Sequence, residues 1–242
     1  MIATRIHFTQ ELASVDDALM RMGSTVGSMI ASATAAFLES DASLVPKILA
    51  DDNTVDAFEE EIETTCLRLL ATQQPMARDL RRVSSAIKVS SELERIGDHA
   101  VEIAKNSRKL MHRCFCPRPL VDIEPMHRAV QSMLTDSLTA FVNHDTALVR
   151  DVCRHDDVVD DMFRTSRDDL FQLAQSDGSL VAAASYTLLI LVSLERVADH
   201  TANIAERVNY IETGELSRIV NEHKRLDTSV ITLSPGSQSQ SA

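Results

Sequence analysis

The sequence predicts an all-α protein made of two tandem three-helix bundles related by internal duplication. Three observations predict it. Only six Gly and six Pro punctuate 242 residues, too few for a turn-rich β structure. Six long segments carry apolar residues at helical spacing. One motif also recurs: Leu93-Glu-Arg-Ile-Gly-Asp-His-Ala-Val-Glu-Ile-Ala104 returns as Leu194-Glu-Arg-Val-Ala-Asp-His-Thr-Ala-Asn-Ile-Ala205, with seven of twelve positions identical. Shared apolar positions alone would follow from any two amphipathic helices. Shared Glu-Arg and Asp-His pairs, in the same order of elements, require duplication.

The elements follow in chain order. The first helix runs from Thr9, read as its N-cap, to Leu38. The second begins near Ser43, which places Pro46 in its first turn, where a missing N–H is harmless, and continues to about Thr72. After a reversal at Gln73-Gln74, the third opens at Pro75 and reaches about His112. Arg113-Cys-Phe-Cys-Pro-Arg-Pro119 holds two prolines and cannot be helical. The fourth helix spans about Val121 to Asn143. Asp145 caps the fifth, which ends near Gln175, and Ser176-Asp-Gly-Ser179 turns into the sixth, which ends near Glu212 at Gly214. The expected organisation is residues 1–113 for the first bundle, 114–119 for a linker, 120–226 for the second bundle, and a disordered polar tail over 227–242.

Composition narrows the function. The net charge is −12 with no basic block, which argues against nucleic acid, since phosphate contacts need clustered Lys and Arg. A cation or a basic protein surface is the more natural partner. No run of about 18 apolar residues suggests a membrane span, and no export signal is visible. Cys66, Cys114, Cys116 and Cys153 lack the spacing of a disulfide framework. They are read as reduced thiols of a cytoplasmic protein.

The chemistry lies in the acids. Glu94 and Asp98 stand one turn apart on the third helix, with Glu102 next on the stripe and the apolar arc beside it. Glu195, Asp199 and Asn203 repeat the placement. On the second helix Asp52, Asp56, Glu59 and Glu63 share a stripe. The fifth repeats only Asp156 and Asp160, with Phe163 and Arg167 in place of the further acids.

Residues equally distant from a tight turn meet in an antiparallel hairpin. Asp52 and Asp56 lie 22 and 18 residues before Gln74, and Glu94 and Asp98 lie 20 and 24 after it. In the second copy Asp156 and Asp160 lie 21 and 17 before Asp177, and Glu195 and Asp199 lie 18 and 22 after. Four carboxylates at one level repel one another and raise their own pKa values unless a cation sits among them. Oxygen donors at i, i+4 on facing helices are how bundles hold such cations. His99 and His200 point about 100° further round and are expected to support the acids or face the surface rather than ligate. Cys114-Phe-Cys116 near His112 lacks further ligands and is read as linker.

These residues resemble the PhoU family of phosphate-signalling regulators. That family is marked by a twice-repeated Glu-Arg-Ile-Gly-Asp motif preceded by helices with spaced aspartates. Glu94-Arg-Ile-Gly-Asp98 matches in full, Gln74-Pro-Met-Ala-Arg-Asp-Leu-Arg81 resembles the family's turn, and the second motif departs at Val197-Ala198. The likeness spans about residues 5–214. It implies two three-helix bundles, multinuclear iron or zinc sites, and no catalysis. It also implies a cytoplasmic protein that restrains a phosphate-sensing histidine kinase and modulates a phosphate ABC transporter through its ATPase. Carried over, the ligands are Asp52, Asp56, Glu94 and Asp98, then Asp156, Asp160, Glu195 and Asp199, with Glu59, Glu102 and Asn203 as outer candidates. Magnesium or manganese are alternative metals, and a homodimer without direct membrane insertion is the expected assembly. The competing reading is a carboxylate-bridged di-metal enzyme, which needs repeated Glu-x-x-His pairs. Only Glu124-Pro-Met-His127 is present, and it is unrepeated.

Overall fold

Apolar residues recurring every three to four positions, with almost no Gly or Pro to interrupt them, build six helices in the computed structural model, which describes residues 2–113 and 119–215. They are α1 (Ile2–Leu38), α2 (Val45–Gln73), α3 (Arg78–Arg113), α4 (Glu124–Asn143), α5 (Thr146–Ser176) and α6 (Val181–Thr213), with no strand among the described residues. Cys114, Cys116, the 227–242 tail and the 216–226 end assigned to the second bundle lie outside the described residues.

The helix ends show where local chemistry sets the boundary. Asp145 caps α5 as expected, accepting from the N–H groups of Ala147 (2.8 Å) and Leu148 (3.2 Å). Gly214, at φ 81°, terminates α6. Pro46 sits in the first turn of α2.

Three starts differ from expectation. α1 begins at Ile2, not Thr9, because nothing between them breaks a helix and a cap-type residue inside a strong helix does not end it. α3 begins at Arg78, not Pro75. Both Gln74 (φ 46°) and Ala77 (φ 50°) adopt left-handed backbone, so the reversal takes two more residues than the sequence suggested. α4 begins at Glu124, not Val121. Pro125 has no N–H and fits best in a first turn, and the Asp122 carboxylate accepts from the Glu124 N–H at 3.0 Å.

Helices α1, α2 and α3 pack as one bundle and α4, α5 and α6 as another. The bundles join along two antiparallel seams, α1 with α4 and α3 with α6. In the first seam Gln131 donates to the Gly27 carbonyl at 2.8 Å and Thr34 meets His127 Nδ1 at 3.2 Å. Gly23 lies against Leu138 there, and a Cβ at that position would make the Leu138 Cδ1 methyl shift. In the second seam Arg81 Nε donates to the Ile211 carbonyl at 2.9 Å and Arg78 pairs with Glu212 at 2.5 Å. One apolar core, from Leu12 through Leu93 and Val130 to Ile211, runs continuously through both bundles. By length and composition α6 is apolar enough to cross a membrane, but its apolar stripe, including Ile190, Leu194, Val197 and Ile204, is buried in this core.

Candidate functional site: the paired carboxylate stripes

The first acid group forms because α2 and α3 run antiparallel from a tight turn, with Gly97 of α3 facing Val55 and Asp52 of α2. A Cβ at Gly97 would touch Val55 Cγ1 at 3.4 Å and the Asp52 carboxylate at 3.8 Å. The Asp52 carboxyl titrates above its ordinary range because of burial first, then the charges of Asp56 and Asp98, against the pull of Lys105. Glu94 is likewise raised by burial first, then by Asp98, Glu59 and Asp56, with Arg95 opposing. Ser91 donates to Glu59 at 2.8 Å and anchors that side chain at the same level. Asp52, Asp56, Glu59, Glu94 and Asp98 therefore lie within one another's electrostatic reach, as the hairpin count predicts.

The donors are all carboxylate oxygens on neighbouring helices, a set that suits a hard or borderline cation. Among the described residues no three His, Cys, Asp or Glu side chains stand in position to hold an ion.

The second copy differs. Asp156 is 1 % exposed. Glu195 and Asp199 both approach the Arg196 guanidinium, at 3.6 and 3.5 Å. Arg167 lies 6.0 Å over the Phe163 ring and pairs with Asp168 at 3.0 Å, so the edge lined by Glu59 and Glu63 in the first copy is closed here by a cation–π pair. The Cys153 thiol is pushed up to about 11 by burial, then by Glu206, Asp156 and Asp157. The acid stripes expected from sequence did not include Glu206. The offset that carries Glu94 to Glu195 carries Lys105 to Glu206, so where the first copy holds a lysine near its half-buried Asp52, the second holds another acid near Cys153. That offset was the signal that could have found it.

Glu102 and Asn203 are placed in the α3–α6 seam. Glu102 Oε2 lies 3.3 Å from His99 Nδ1 and accepts from Ser193 Oγ at 3.3 Å. Glu92 Oε2 lies 2.7 Å from His200 Nδ1 and accepts from Asn203 Nδ2 at 3.1 Å. The same offset pairs Glu92 with Ser193, His99 with His200, and Glu102 with Asn203. The Ser193–Glu102 and Glu92–Asn203 contacts are thus one contact made twice about a local twofold. On it the two imidazoles stack, with centroids 5.5 Å apart and planes at 26°. Burial opposes ionisation of Glu92, but hydrogen bonds from His200 and Asn203, with the charges of His200 and Arg207, hold its carboxyl below the ordinary range. Burial lowers His99 despite the neighbouring Glu102. The Glu124–His127 pair is engaged elsewhere: His127 at the α1–α4 seam with Thr34, Glu124 with Arg128 at 3.5 Å.

Duplicated bundles carrying an acidic stripe apiece define the class of protein: a tandem-repeat helical bundle whose distinctive chemistry is carboxylate oxygen. The PhoU domain model matches twice, over residues 19–107 and 123–208. The phosphate-specific transport system accessory protein PhoU homolog of Clostridium acetobutylicum is 34 % identical over 216 residues, 88 % of this chain and 97 % of that one. The homolog from Pseudomonas aeruginosa is 33 % identical over 207 residues, 86 % of each chain. Among solved structures, PhoU from P. aeruginosa superposes with a TM-score of 0.82 at 33 % identity, over 86 % of this chain and 100 % of that one. The regulatory protein PhoU from Streptococcus pneumoniae gives 0.79 at 32 % identity, over 87 % and 99 %. The chain belongs to the PhoU family.

Proposed function

We propose that this protein is a non-enzymatic regulator of phosphate uptake and phosphate-starvation signalling that acts in the cytoplasm by docking. Its relatives are named as accessory proteins of the phosphate-specific transport system, which supports a role beside a transporter rather than a reaction of its own. The observation that carries the reading for this chain is the first acid group. Asp52 and Glu94 are raised by burial and by each other's neighbours, so the group gains from a cation that neutralises it.

Asp52, Asp56, Glu94 and Asp98 are the proposed ligands of the first metal site, with Glu59 at its rim. Asp156, Asp160, Glu195 and Asp199 serve the second. Iron or zinc is the proposed metal, with magnesium or manganese as alternatives, and the ion would stiffen the acidic face or offer a coordination position to a partner carboxylate. The proposed partners are a phosphate-sensing histidine kinase and the ATPase of a phosphate ABC transporter, and the proposed assembly is a homodimer.

The test is a deletion strain together with partner recovery. Loss of the protein is expected to leave starvation genes expressed in phosphate-replete cells. Wild-type protein is expected to co-purify with kinase or ATPase more than the Glu94→Ala/Asp98→Ala variant does. A deletion strain that represses these genes normally, with neither partner recovered, removes the regulatory reading.

A further inference from the structure

The two copies differ most on the outer face of their hairpins. The offset that carries Asp52 to Asp156 carries Glu59 to Phe163 and Leu67 to Phe171. The offset that carries Glu94 to Glu195 carries Lys88 to Leu189 and Ser91 to Val192. Three polar positions of the first copy are thus apolar in the second, and the fold does not bury them. Phe171 is 49 % exposed and Leu189 48 %, while Phe163, Leu188 and Val192 are half-buried. From Gly178 to Leu194 the chain carries no charged side chain. A helix that meets water ordinarily turns polar residues toward it, so a contiguous apolar face here marks an interaction surface.

These residues line one groove. Asp160, Arg167 and Phe171 recur at i, i+7 and i+11 along one edge of α5. Cys153 shares that edge and lies within electrostatic reach of Glu206, so the edge faces α6. On α6, Leu188, Val192, Glu195 and Asp199 recur at i, i+4, i+7 and i+11, with Leu189 on the adjoining ridge. The counterpart of the Ser91–Glu59 bond sets Val192 level with Phe163. The groove is therefore apolar from Phe171 to Phe163 and acidic beyond, and from Phe171 to Asp160 it spans about 16 Å, three helical turns.

Charge follows the same gradient. At the inner end Asp156, Asp160, Asp161, Glu195 and Asp199 stand with Arg164 and Arg196. Five acids less two arginines leave a net charge of −3, and a divalent cation bound there would still leave −1. Along the apolar stretch the charges cancel. Arg167 pairs with Asp168, and across the seam, in the register of the Ser193–Glu102 bond, α3 presents Glu102 and the exposed Lys109.

We propose that the α5–α6 groove docks one amphipathic helix of a partner protein, with an apolar stripe over Phe163, Phe171, Leu188 and Leu189 and a basic end over the acids. The gradient identifies the occupant, because a helix that is apolar throughout leaves the acidic end uncompensated. A lipid surface fits worse, since Glu102, Glu195 and Asp199 would confront its anionic headgroups. The first copy has Glu59, Lys88 and Ser91 in place of the apolar floor, so one helix binds per chain. The inference rests on the docking reading above and names the face that it uses.

The probe is a labelled synthetic helix of about four turns, with leucines at i, i+3, i+7 and i+11 and a last turn of Lys and Arg, titrated with the full chain and read by fluorescence anisotropy. Saturation at one peptide per chain is expected. Leu189→Lys with Val192→Ser restores the first copy's residues on a face outside the core. An unchanged thermal melt checks its fold, and binding is expected to weaken about tenfold. Exchanging the peptide's basic turn for Glu is expected to do the same, and Leu67→Asp in the other hairpin to change nothing. Equal binding by wild type and the double variant, equal binding of the Glu-ended peptide, or two peptides per chain overturns the proposal. So does phosphatidylglycerol-vesicle binding, or self-association in sedimentation, that the double variant abolishes, because a membrane or a second copy then covers the face. If the peptide fails while kinase or ATPase still co-purifies equally with wild type and the double variant, the groove assignment falls and the docking role stands.

Discussion

Asp52 and Glu94 have a folded-state pKa above the unfolded value, and this sets the pH behaviour of the metal-free protein. For such acids the folded chain holds the proton more tightly, so stability is highest below the ordinary carboxylate range and falls as pH rises through the raised values. With metal stripped by chelator, Asp52→Asn is expected to flatten that decline in thermal melts taken as pH rises above the ordinary carboxylate range. A melting profile identical to wild type would show that the repulsion is relieved in another way. Metal content is the complementary measurement. Glu94→Ala with Asp98→Ala is expected to remove the first site's share of bound metal and leave the second, and an unchanged count in elemental analysis would refute the ligand assignment. Cys66 is a contrasting case: burial first, then Asp16, pushes its thiol up to about 12. It is therefore expected to stay unreactive toward thiol reagents at pH 8 until the protein unfolds. The closeness of Asp52, Asp56, Glu94 and Asp98 was legible in sequence because i, i+4 spacing and hairpin counting are one-dimensional properties. The seam polar group of Glu92, His99, Ser193 and His200 was not. Its members come from helices about a hundred residues apart, and no local periodicity says which helices touch.

At the scale of elements, the caps and breaks carry most of the predictive content. Asp145→Ala removes an acceptor for two orphan N–H groups at the start of α5. It is expected to cost about 1 kcal/mol in denaturant unfolding. The α1–α4 seam makes a stronger demand, because Gly23 lies against Leu138 and Gly27 faces Gln131 and Leu134. Gly23→Leu forces the two helices apart in a close-packed core and is expected to destabilise by about 3 kcal/mol, beyond the gain in helix propensity. A neutral result would mean that the α1–α4 seam is loose. Helix existence and order were readable throughout. The starts of α1, α3 and α4 were not, since they depend on whether a residue such as Thr9 is used as a cap and on left-handed backbone at Ala77. Several residues permit either outcome until the chain reversal is fixed in space.

For the molecule as a whole, the continuous core and the two seams predict that proteolysis confined to residues 114–118 leaves both bundles associated. The nicked chain is expected to elute as one species in gel filtration and to melt in one transition, because separating the bundles would expose the α3–α6 and α1–α4 surfaces to water. Halves that drift apart would show instead that each bundle is self-sufficient. The repeated Leu-Glu-Arg…Asp-His motif and the apolar periodicity by themselves determined the all-α class, six helices, the duplication and the two acid stripes, because each follows from spacing along a single helix or from counting back from a turn. Only the tertiary structure decided the rest. It placed α3 against α6 so that His99 stacks on His200 across a local twofold. It turned Glu102 and Asn203 into seam contacts and brought the end of α6 back to Arg78 and Arg81. Those outcomes depend on which apolar faces bury together, a choice made by the packing of the entire core and not by any segment of it.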